Sequence, residues 1–284
     1  MSAGLRIDPV TGAVVQVAAS RQRRPNLPDG GCPFCVGGLE APEPYVVRAF
    51  PNRWPSFPDG RCEVLLYGPE HDRTLADLGV ARARLVVDLW ADRTVAVGAR
   101  PDVAYVLCFE NHGADVGATI AHPHGQLFAY PEVPPVPATV LARLAAGHPL
   151  LEDAPQRVVV ERDGWRAWVP AAPAHPHHLR VAPLEPVPDL PALSGAGRDA
   201  LAGVLVDVLG RLQRRFDRPM PYMLWWVQHP TDGGRWPGAR LHLEVVSPWR
   251  AAGVARFVAA GELGGGVLVN PLDPDDVAAS LRQA

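Results

Sequence analysis

Lysine is absent from this sequence of 284 residues, whose 27 basic side chains are all arginine. A chain without lysine cannot form a Schiff base on its own side chains or use the lysine of a P-loop. Any phosphate must therefore be met by arginine, histidine, a backbone N–H group or a metal ion. The formal net charge of −3 shows no excess of positive charge, so a nucleic-acid partner is not expected.

Long hydrophobic runs are also missing. The longest, such as 158–160 and 223–227, are far shorter than the roughly 20 residues that span a bilayer. Because the N-terminus shows no signal-peptide pattern either, we expect a cytoplasmic protein without a membrane partner. Cysteine is scarce, and four residues are too few for a disulfide scaffold in a chain of this length.

The two halves of the sequence show the same order of predicted elements. Each half has a strand, a bend with histidine, a strand, a long helix, a strand ending near Asn or Gln, and a strand that begins with histidine. This order suggests a duplication. Helices are predicted at 75–97 and 197–216, and strands at 45–50, 62–67, 103–109, 121–130, 165–169, 179–182, 223–227 and 241–246. Residues 1–30 are expected to be irregular, and the proline clusters at 131–137 and 183–191 are expected to be loops.

One short stretch, His122-Pro123-His124-Gly125-Gln126, carries the strongest chemical signal. Alternate residues of a strand face the same side, so its two histidines and its glutamine are predicted to form a row that can hold a phosphate. Pro123 and Gly125 fit an edge strand or a strand end. A surface turn is the alternative interpretation.

A second signal is Cys32-Pro33-Phe34-Cys35. Glycine and proline turns surround it, whereas a redox motif of this spacing opens a helix, so metal binding is favoured. Tetrahedral zinc needs two further ligands, and His71 and His122 are the candidates because each lies at a predicted strand end in the same half. Free cysteines beside surface histidines are the alternative.

His124 is the candidate nucleophile. A neutral imidazole nitrogen attacks phosphorus at neutral pH, and the other nitrogen must be held by an acceptor such as a backbone carbonyl. Gln126 can donate a hydrogen bond to a phosphoryl oxygen but cannot shuttle a proton. This difference favours transfer to a second substrate over hydrolysis.

The run Phe109-Glu110-Asn111-His112-Gly113, followed by Thr119 and the 122–126 stretch, resembles galactose-1-phosphate uridylyltransferases, the transferase branch of the histidine-triad superfamily. The likeness extends over nearly the whole chain, through Arg21, Arg24, the cysteine pair, Asn52, 69–75, Arg256-Phe257 and 261–263. It implies an α+β fold of two histidine-triad-like halves, 1–140 and 141–284, each with an antiparallel sheet and a long helix.

The resemblance also implies roles for single residues. Zinc would be bound by Cys32, Cys35, His71 and His122. His124 would carry the uridylyl group, with Asn111, Thr119 and Gln126 around the α-phosphate and Asn52 at the uridine end. Arg21 and Arg24 would meet phosphate, with a dimer interface as one setting for that contact. Arg256, Phe257 and Glu262 would form a hexose-binding loop, for which a salt-bridge patch at a helix end is the alternative.

The sequence departs from the family pattern at several positions. A second metal site in some members uses a His-x-His pair with another histidine and a glutamate. Here His229 and His242 match, Glu244 stands where the last histidine is expected, and Glu132 is a nearby candidate for the acid. Other departures are Thr119-Ile120-Ala121 in place of Ser-Asn-Pro, Arg256 in place of lysine, and Gly261 in place of a bulky aromatic residue.

The activity that the resemblance implies is uridylyl exchange between UDP-glucose and a hexose 1-phosphate in galactose metabolism, with ping-pong kinetics and no organic cofactor. Zinc, a second divalent metal and a homodimer are part of the same expectation. The alternatives are an ADP- or GDP-sugar phosphorylase on the same scaffold and a zinc-stabilised nucleotide-binding protein without turnover. A hydrolase is disfavoured by Gln126.

Overall fold

The computed structural model describes residues 4–23 and 31–284. The strands are β1 (Gly4–Ile7), β2 (Val14–Val17), β3 (Arg48–Pro51), β4 (Cys62–Leu66), β5 (Tyr105–His112), β6 (His124–Tyr130), β7 (Val158–Arg162), β8 (Trp165–Trp168), β9 (His177–Pro183), β10 (Tyr222–Val227), β11 (His242–Ser247), β12 (Trp249–Ala251) and β13 (Val254–Ala255). The α-helices are α1 (Gly79–Gly98), α2 (Pro135–Ala145), α3 (Gly195–Arg214), α4 (Ala260–Gly265) and α5 (Pro274–Gln283).

Nine of these strands form one antiparallel sheet in the order β3-β4-β6-β5-β10-β11-β9-β8-β7. The sheets of the two halves meet where β5 pairs with β10, with Asn111 beside Met223. The chain order β4-α1-β5-β6 recurs as β9-α3-β10-β11, as the predicted duplication requires. The predicted α+β fold is confirmed, with the two sheets joined into one; the division at residue 140 stays a prediction.

The long helices α1 and α3 cover one face of the sheet and pack against each other. In α3 the predicted apolar stripe is buried, and Ser194 caps the first turn by accepting a hydrogen bond from Gly197 N at 3.1 Å. Helix α1 starts four residues later than predicted, because the side chains of Thr74 and Asp77 hold a hydrogen-bonded turn before it. The apolar spacing within 75–97 predicts Leu85 on the buried stripe of that helix, but Leu85 is exposed.

Two segments expected to be irregular have regular structure. Within 1–30, β1 and β2 form a hairpin whose turn is closed by Asp8, which accepts hydrogen bonds from Val10 N and Thr11 N. The proline-rich segment before residue 146 forms α2, because Pro135 and Pro137 lie in its first turn. Proline lacks only an N–H group that would have no intrahelical partner there.

The sheet face opposite the long helices carries the residues of interest. Along β6, Leu127 and Ala129 point into the core, so Gln126 and Phe128 point the other way. Gly125 faces Tyr67, and a Cβ atom at this position would lie 2.1 Å from the Tyr67 hydroxyl oxygen. Within the described residues, no helix is long and apolar enough to cross a membrane.

Candidate active site

A cleft of about 750 Å³ opens on that face, between residues 31–40, here called the cysteine loop, and strands β3, β4 and β6. Six of the predicted site residues line it: Cys32, Cys35, Asn52, Thr119, His124 and Gln126. The cysteine loop docks onto the strands through Phe34, which packs with Val64 and Leu66 and lies edge-on to the His124 ring at 5.0 Å. The first half of the chain therefore brings the proposed nucleophile and the cysteine motif into one cavity.

His124 is held in one tautomer. Its Nδ1 donates a hydrogen bond to the carbonyl oxygen of His122 at 2.7 Å. This bond leaves the lone pair on Nε2, which is the arrangement that a nucleophilic imidazole needs.

The neighbours of His124 follow from strand register. Gln126 is two residues along β6 and on the same face, and it lies beside Phe109 of β5. The same register, carried on by two residues, sets Asn111 opposite His124. Thr119 reaches the cleft from the loop between β5 and β6.

Asn52 lies at the other end of the cleft, just after β3. Its Oδ1 accepts a hydrogen bond from the backbone N of Trp54 at 2.9 Å. A backbone N–H can pair only with the amide oxygen, so the Asn52 Nδ2 group is the donor left for a ligand. Phe50 and Trp54 supply apolar surface beside it.

Cys32, Cys35, His71 and His122 form a cluster in which the four ligand atoms lie within 4.8 Å of one another. Cys35 Sγ is 3.4 Å from His71 Nδ1 and 3.6 Å from His122 Nδ1. In a tetrahedral zinc site a sulfur and a nitrogen ligand are separated by about 3.5 Å, as the usual zinc–ligand bond lengths require. The cluster could therefore hold a metal ion such as zinc.

The surroundings of the cluster also suit a cation. His122 Nε2 donates to the Gly68 carbonyl oxygen at 2.7 Å, which directs Nδ1 toward Cys35. Burial lowers the pKa of His122 and keeps its imidazole neutral, as a metal ligand must be. Burial and the neighbouring Cys32 raise the pKa of Cys35, so ionising both thiols requires a compensating positive charge.

The second metal site stays a prediction. Among the described residues, the Cys32 cluster is the one set of three or more Cys, His, Asp or Glu side chains at ligand distances. Glu244 is occupied by His178 Nε2 at 2.7 Å and Arg180 Nε at 2.8 Å. His229 bonds through Nδ1 to the Pro230 carbonyl oxygen.

The remaining predicted contacts lie outside the cleft lining. Arg21 donates to the Ser56 hydroxyl, and Arg24 is outside the described residues. Arg256, Phe257 and Glu262 line a separate pocket of about 840 Å³, where Arg256 and Glu262 form an ion pair.

Glu110 belongs to the 109–113 motif, but no role was predicted for it. In the structure it is a buried carboxyl group beneath the site. The hydroxyl of Tyr222 donates to its Oε1 at 2.7 Å, and this bond links β5 of the first half with β10 of the second. Burial raises the pKa of Glu110 to about 7. An acid within an otherwise apolar strand was the signal that could have identified it.

Comparison with known proteins places this chain in a class of nucleotidyltransferases. Residues 53–134 match the family model of the galactose-1-phosphate uridyl transferase N-terminal domain. The galactose-1-phosphate uridylyltransferase of Streptomyces lividans is 38% identical over 80% of this chain and 70% of its own length, and that of Thermotoga maritima is 30% identical over 98% of both. The ADP-glucose phosphorylase of Arabidopsis thaliana is 25% identical over 98% of this chain and 92% of its own.

Structural similarity agrees with these matches. A solved uridylyltransferase structure superimposes with a TM-score of 0.88 at 26% identity, covering 98% of this chain and 97% of the other. The chain belongs to the galactose-1-phosphate uridylyltransferase family.

Proposed function

We propose that this protein is a UDP-glucose–hexose-1-phosphate uridylyltransferase that acts through a uridylyl group on His124. The observation that carries the proposal is the hydrogen bond from His124 Nδ1 to the His122 carbonyl, which leaves the Nε2 lone pair on a ring lining the cleft. Relatives named galactose-1-phosphate uridylyltransferase, which align with most of the chain, support it.

The reaction would proceed in two displacements. His124 Nε2 attacks the α-phosphorus of UDP-glucose, an N–P bond forms, and the bond to the bridging oxygen breaks with its electron pair leaving on glucose 1-phosphate. A phosphate oxygen of galactose 1-phosphate then attacks the same phosphorus, and the N–P bond breaks to regenerate the neutral imidazole. The Nδ1 proton stays on its bond to His122 throughout.

Other residues of the cleft, together with Asn111 on the neighbouring strand β5, would orient the nucleotide. Gln126 and Asn111 would donate to oxygens of the α-phosphate, where negative charge must be stabilised during transfer. Thr119 would donate a hydrogen bond from its hydroxyl to the same phosphate, from the loop between β5 and β6. Zinc held by Cys32, Cys35, His71 and His122 would tie the cysteine loop to the start of β6.

The orientation of Asn52 favours a uracil base over adenine. Its Nδ2 donor matches a carbonyl oxygen, which uracil and guanine have and adenine lacks. An ADP-sugar phosphorylase, supported by the similarity to the Arabidopsis thaliana enzyme, is the second candidate. Arg256, Phe257 and Glu262 line a different pocket of the same chain. We therefore propose their hexose-binding role only for the homodimer.

The decisive test is intact-mass measurement after incubation with UDP-, ADP- and GDP-glucose in turn. We expect a uridylyl adduct from UDP-glucose alone, released on addition of galactose 1-phosphate. An adduct that persists in His124→Ala, or an adenylyl adduct in its place, would contradict the proposal. A His124→Gly variant should regain transfer when supplied with imidazole-UMP, which separates loss of the nucleophile from misfolding.

If nucleotides protect the wild-type protein from unfolding but no adduct forms, the protein is a nucleotide-binding protein without turnover.

A further inference from the structure

Two charged side chains in the cleft pair with each other. Glu40, on the cysteine loop, forms an ion pair with Arg53, whose Nε lies 2.7 Å from Glu40 Oε1, and both residues line the cavity. A carboxylate repels phosphate, because both are negatively charged. The presence of Glu40 in a cavity proposed to bind phosphate therefore requires an explanation. Arg53 offsets the charge of Glu40 at one of its two carboxylate oxygens, and neither side chain makes a hydrogen bond to a further described residue.

Strand register places this pair far from His124. Asn52 N donates to the Cys62 carbonyl oxygen, and Cys62 lies beside Phe128 of β6. Phe128 is four positions after His124 on β6, which corresponds to about 14 Å at the usual rise per residue of a strand. Arg53 directly follows Asn52, so the pair flanks the nucleoside end of the cleft and not the reacting phosphorus.

The chemistry of the neighbours leaves the ribose for Glu40. Asn52 offers a donor, which suits a carbonyl of the base, and Phe50 and Trp54 offer apolar surface for its ring. Glu40 is the one carboxylate among the described lining residues, and a carboxylate only accepts hydrogen bonds. The ribose is the part of a nucleotide with two adjacent hydroxyl donors, and acidic side chains bind such hydroxyls in other nucleotide sites.

We propose that Glu40, held in place by Arg53, accepts hydrogen bonds from the ribose hydroxyls and selects ribonucleotides over their deoxy analogues. Arg53 is a positioning residue in this arrangement, since it fixes the carboxylate and reduces its repulsion of the phosphates. The inference rests on the proposed function for the identity of the nucleotide, but it concerns binding alone.

The test compares the affinities of UMP and 2′,3′-dideoxy-UMP by calorimetry. Wild type should bind UMP at least about tenfold more tightly, because hydrogen bonds to a charged acceptor are among the stronger ones. Glu40→Ala should bring this ratio close to one while leaving the affinity for the dideoxy analogue within about twofold. Arg53→Gln should give an intermediate ratio.

Glu43→Ala is the matched control, since Glu43 is an exposed acid three residues from Glu40 that does not line the cleft. It should keep the wild-type ratio. A ratio unchanged in Glu40→Ala overturns the inference, even where UDP-glucose gives the uridylyl adduct and supports the proposed function. A Glu40-dependent ratio without an adduct supports the inference and overturns the proposed function. Failure of folded wild type to bind UMP overturns both.

Discussion

The histidines that begin β6 and β11 make the same local hydrogen bond in opposite surroundings. His124 Nδ1 donates to the carbonyl oxygen two residues before it at 2.7 Å, and His242 Nδ1 does the same to Arg240 at 2.9 Å. Each strand lies in the equivalent place of its half, between β4 and β5 or between β9 and β10. His124 lines a cleft, however, whereas His242 is 1% exposed.

His242 is buried because neighbouring segments of the chain pack around β11. The segment that follows β9 covers the start of β11, because Leu241 N donates to the Val187 carbonyl and Arg240 donates to the Leu184 carbonyl. Two residues after His242 stands Glu244, in the place that Gln126 has after His124. The tautomer of a histidine is therefore a local property of such a strand, but its access to a ligand depends on the rest of the fold.

The largest difference should appear when each histidine is removed. His124→Ala should lower the rate of uridylyl transfer by about 10⁴-fold or more, as loss of a nucleophile does. His242→Ala should leave the rate within a few-fold and lower the unfolding free energy by about 1–3 kcal/mol, because it removes a buried hydrogen-bonded group. Single-turnover kinetics and urea unfolding measure the two effects. Similar loss of activity in both variants would mean that the second half also contributes to the chemistry.

Metal removal should destabilise the first half. Chelation should cost on the order of 4 kcal/mol of unfolding free energy if free zinc normally exceeds its Kd by a thousandfold. Cys35→Ser should lose the bound metal, measured by elemental analysis of the purified protein. Cys62→Ser is the control, because Cys62 is buried outside the ligand cluster. Full metal content in Cys35→Ser would contradict the assignment of ligands.

Gln126→Glu would give β6 the His-x-Glu pattern of β11. The change replaces a donor with a carboxylate that repels the phosphate, so transfer should slow by about 10²–10³-fold. Gln156→Glu adds the same charge at an exposed position and should leave the rate unchanged. Pre-steady-state formation of the adduct is the measurement, and a Gln126→Glu rate near that of wild type would exclude contact between Gln126 and the phosphate.

Lowering the pH should reduce the stability of the second half, because Glu244 becomes protonated. Burial alone would raise the pKa of this carboxyl, but the bond from His178 and the charge of Arg180 lower it to about 2. Its contribution, on the order of 3 kcal/mol, is complete above the pKa of the unfolded chain near 4.5 and is lost as pH falls toward 2. Urea unfolding of wild type and Glu244→Gln between pH 6 and 3 should show a difference that narrows with acid. A constant difference would show that folding does not lower the pKa of this carboxyl group.

Much of the fold could be predicted because its signals are periodic. The apolar spacing of α3 predicted a buried helix to within two residues at either end. The shared order of elements predicted two similar halves, and the nine-stranded sheet repeats that order on both sides of the β5–β10 junction. The β1–β2 hairpin and α2 were missed, because short turns and proline at a helix start resemble loop sequence.

The site was predictable where its residues are close in sequence, and less so where distant segments meet. Glu110 required the structure, since its partner Tyr222 is more than a hundred residues away and belongs to the other half. The second metal site stays a prediction, and the surroundings of Glu244 also needed the structure. Arg180 and His178 contact Glu244 from a neighbouring strand, and no local sequence pattern around His242 predicts these contacts.

By itself, the sequence determined the row of alternating side chains at 122–126, because the period of a strand is a local property of the backbone. It also determined which residue types could ligate zinc or attack phosphorus. Only the tertiary structure decided that Cys35 meets His71 and His122, that Glu40 pairs with Arg53, and that His242 is covered while His124 lines a cleft. Distances between side chains far apart in sequence are set by strand pairing and packing of the whole chain, which no local pattern specifies.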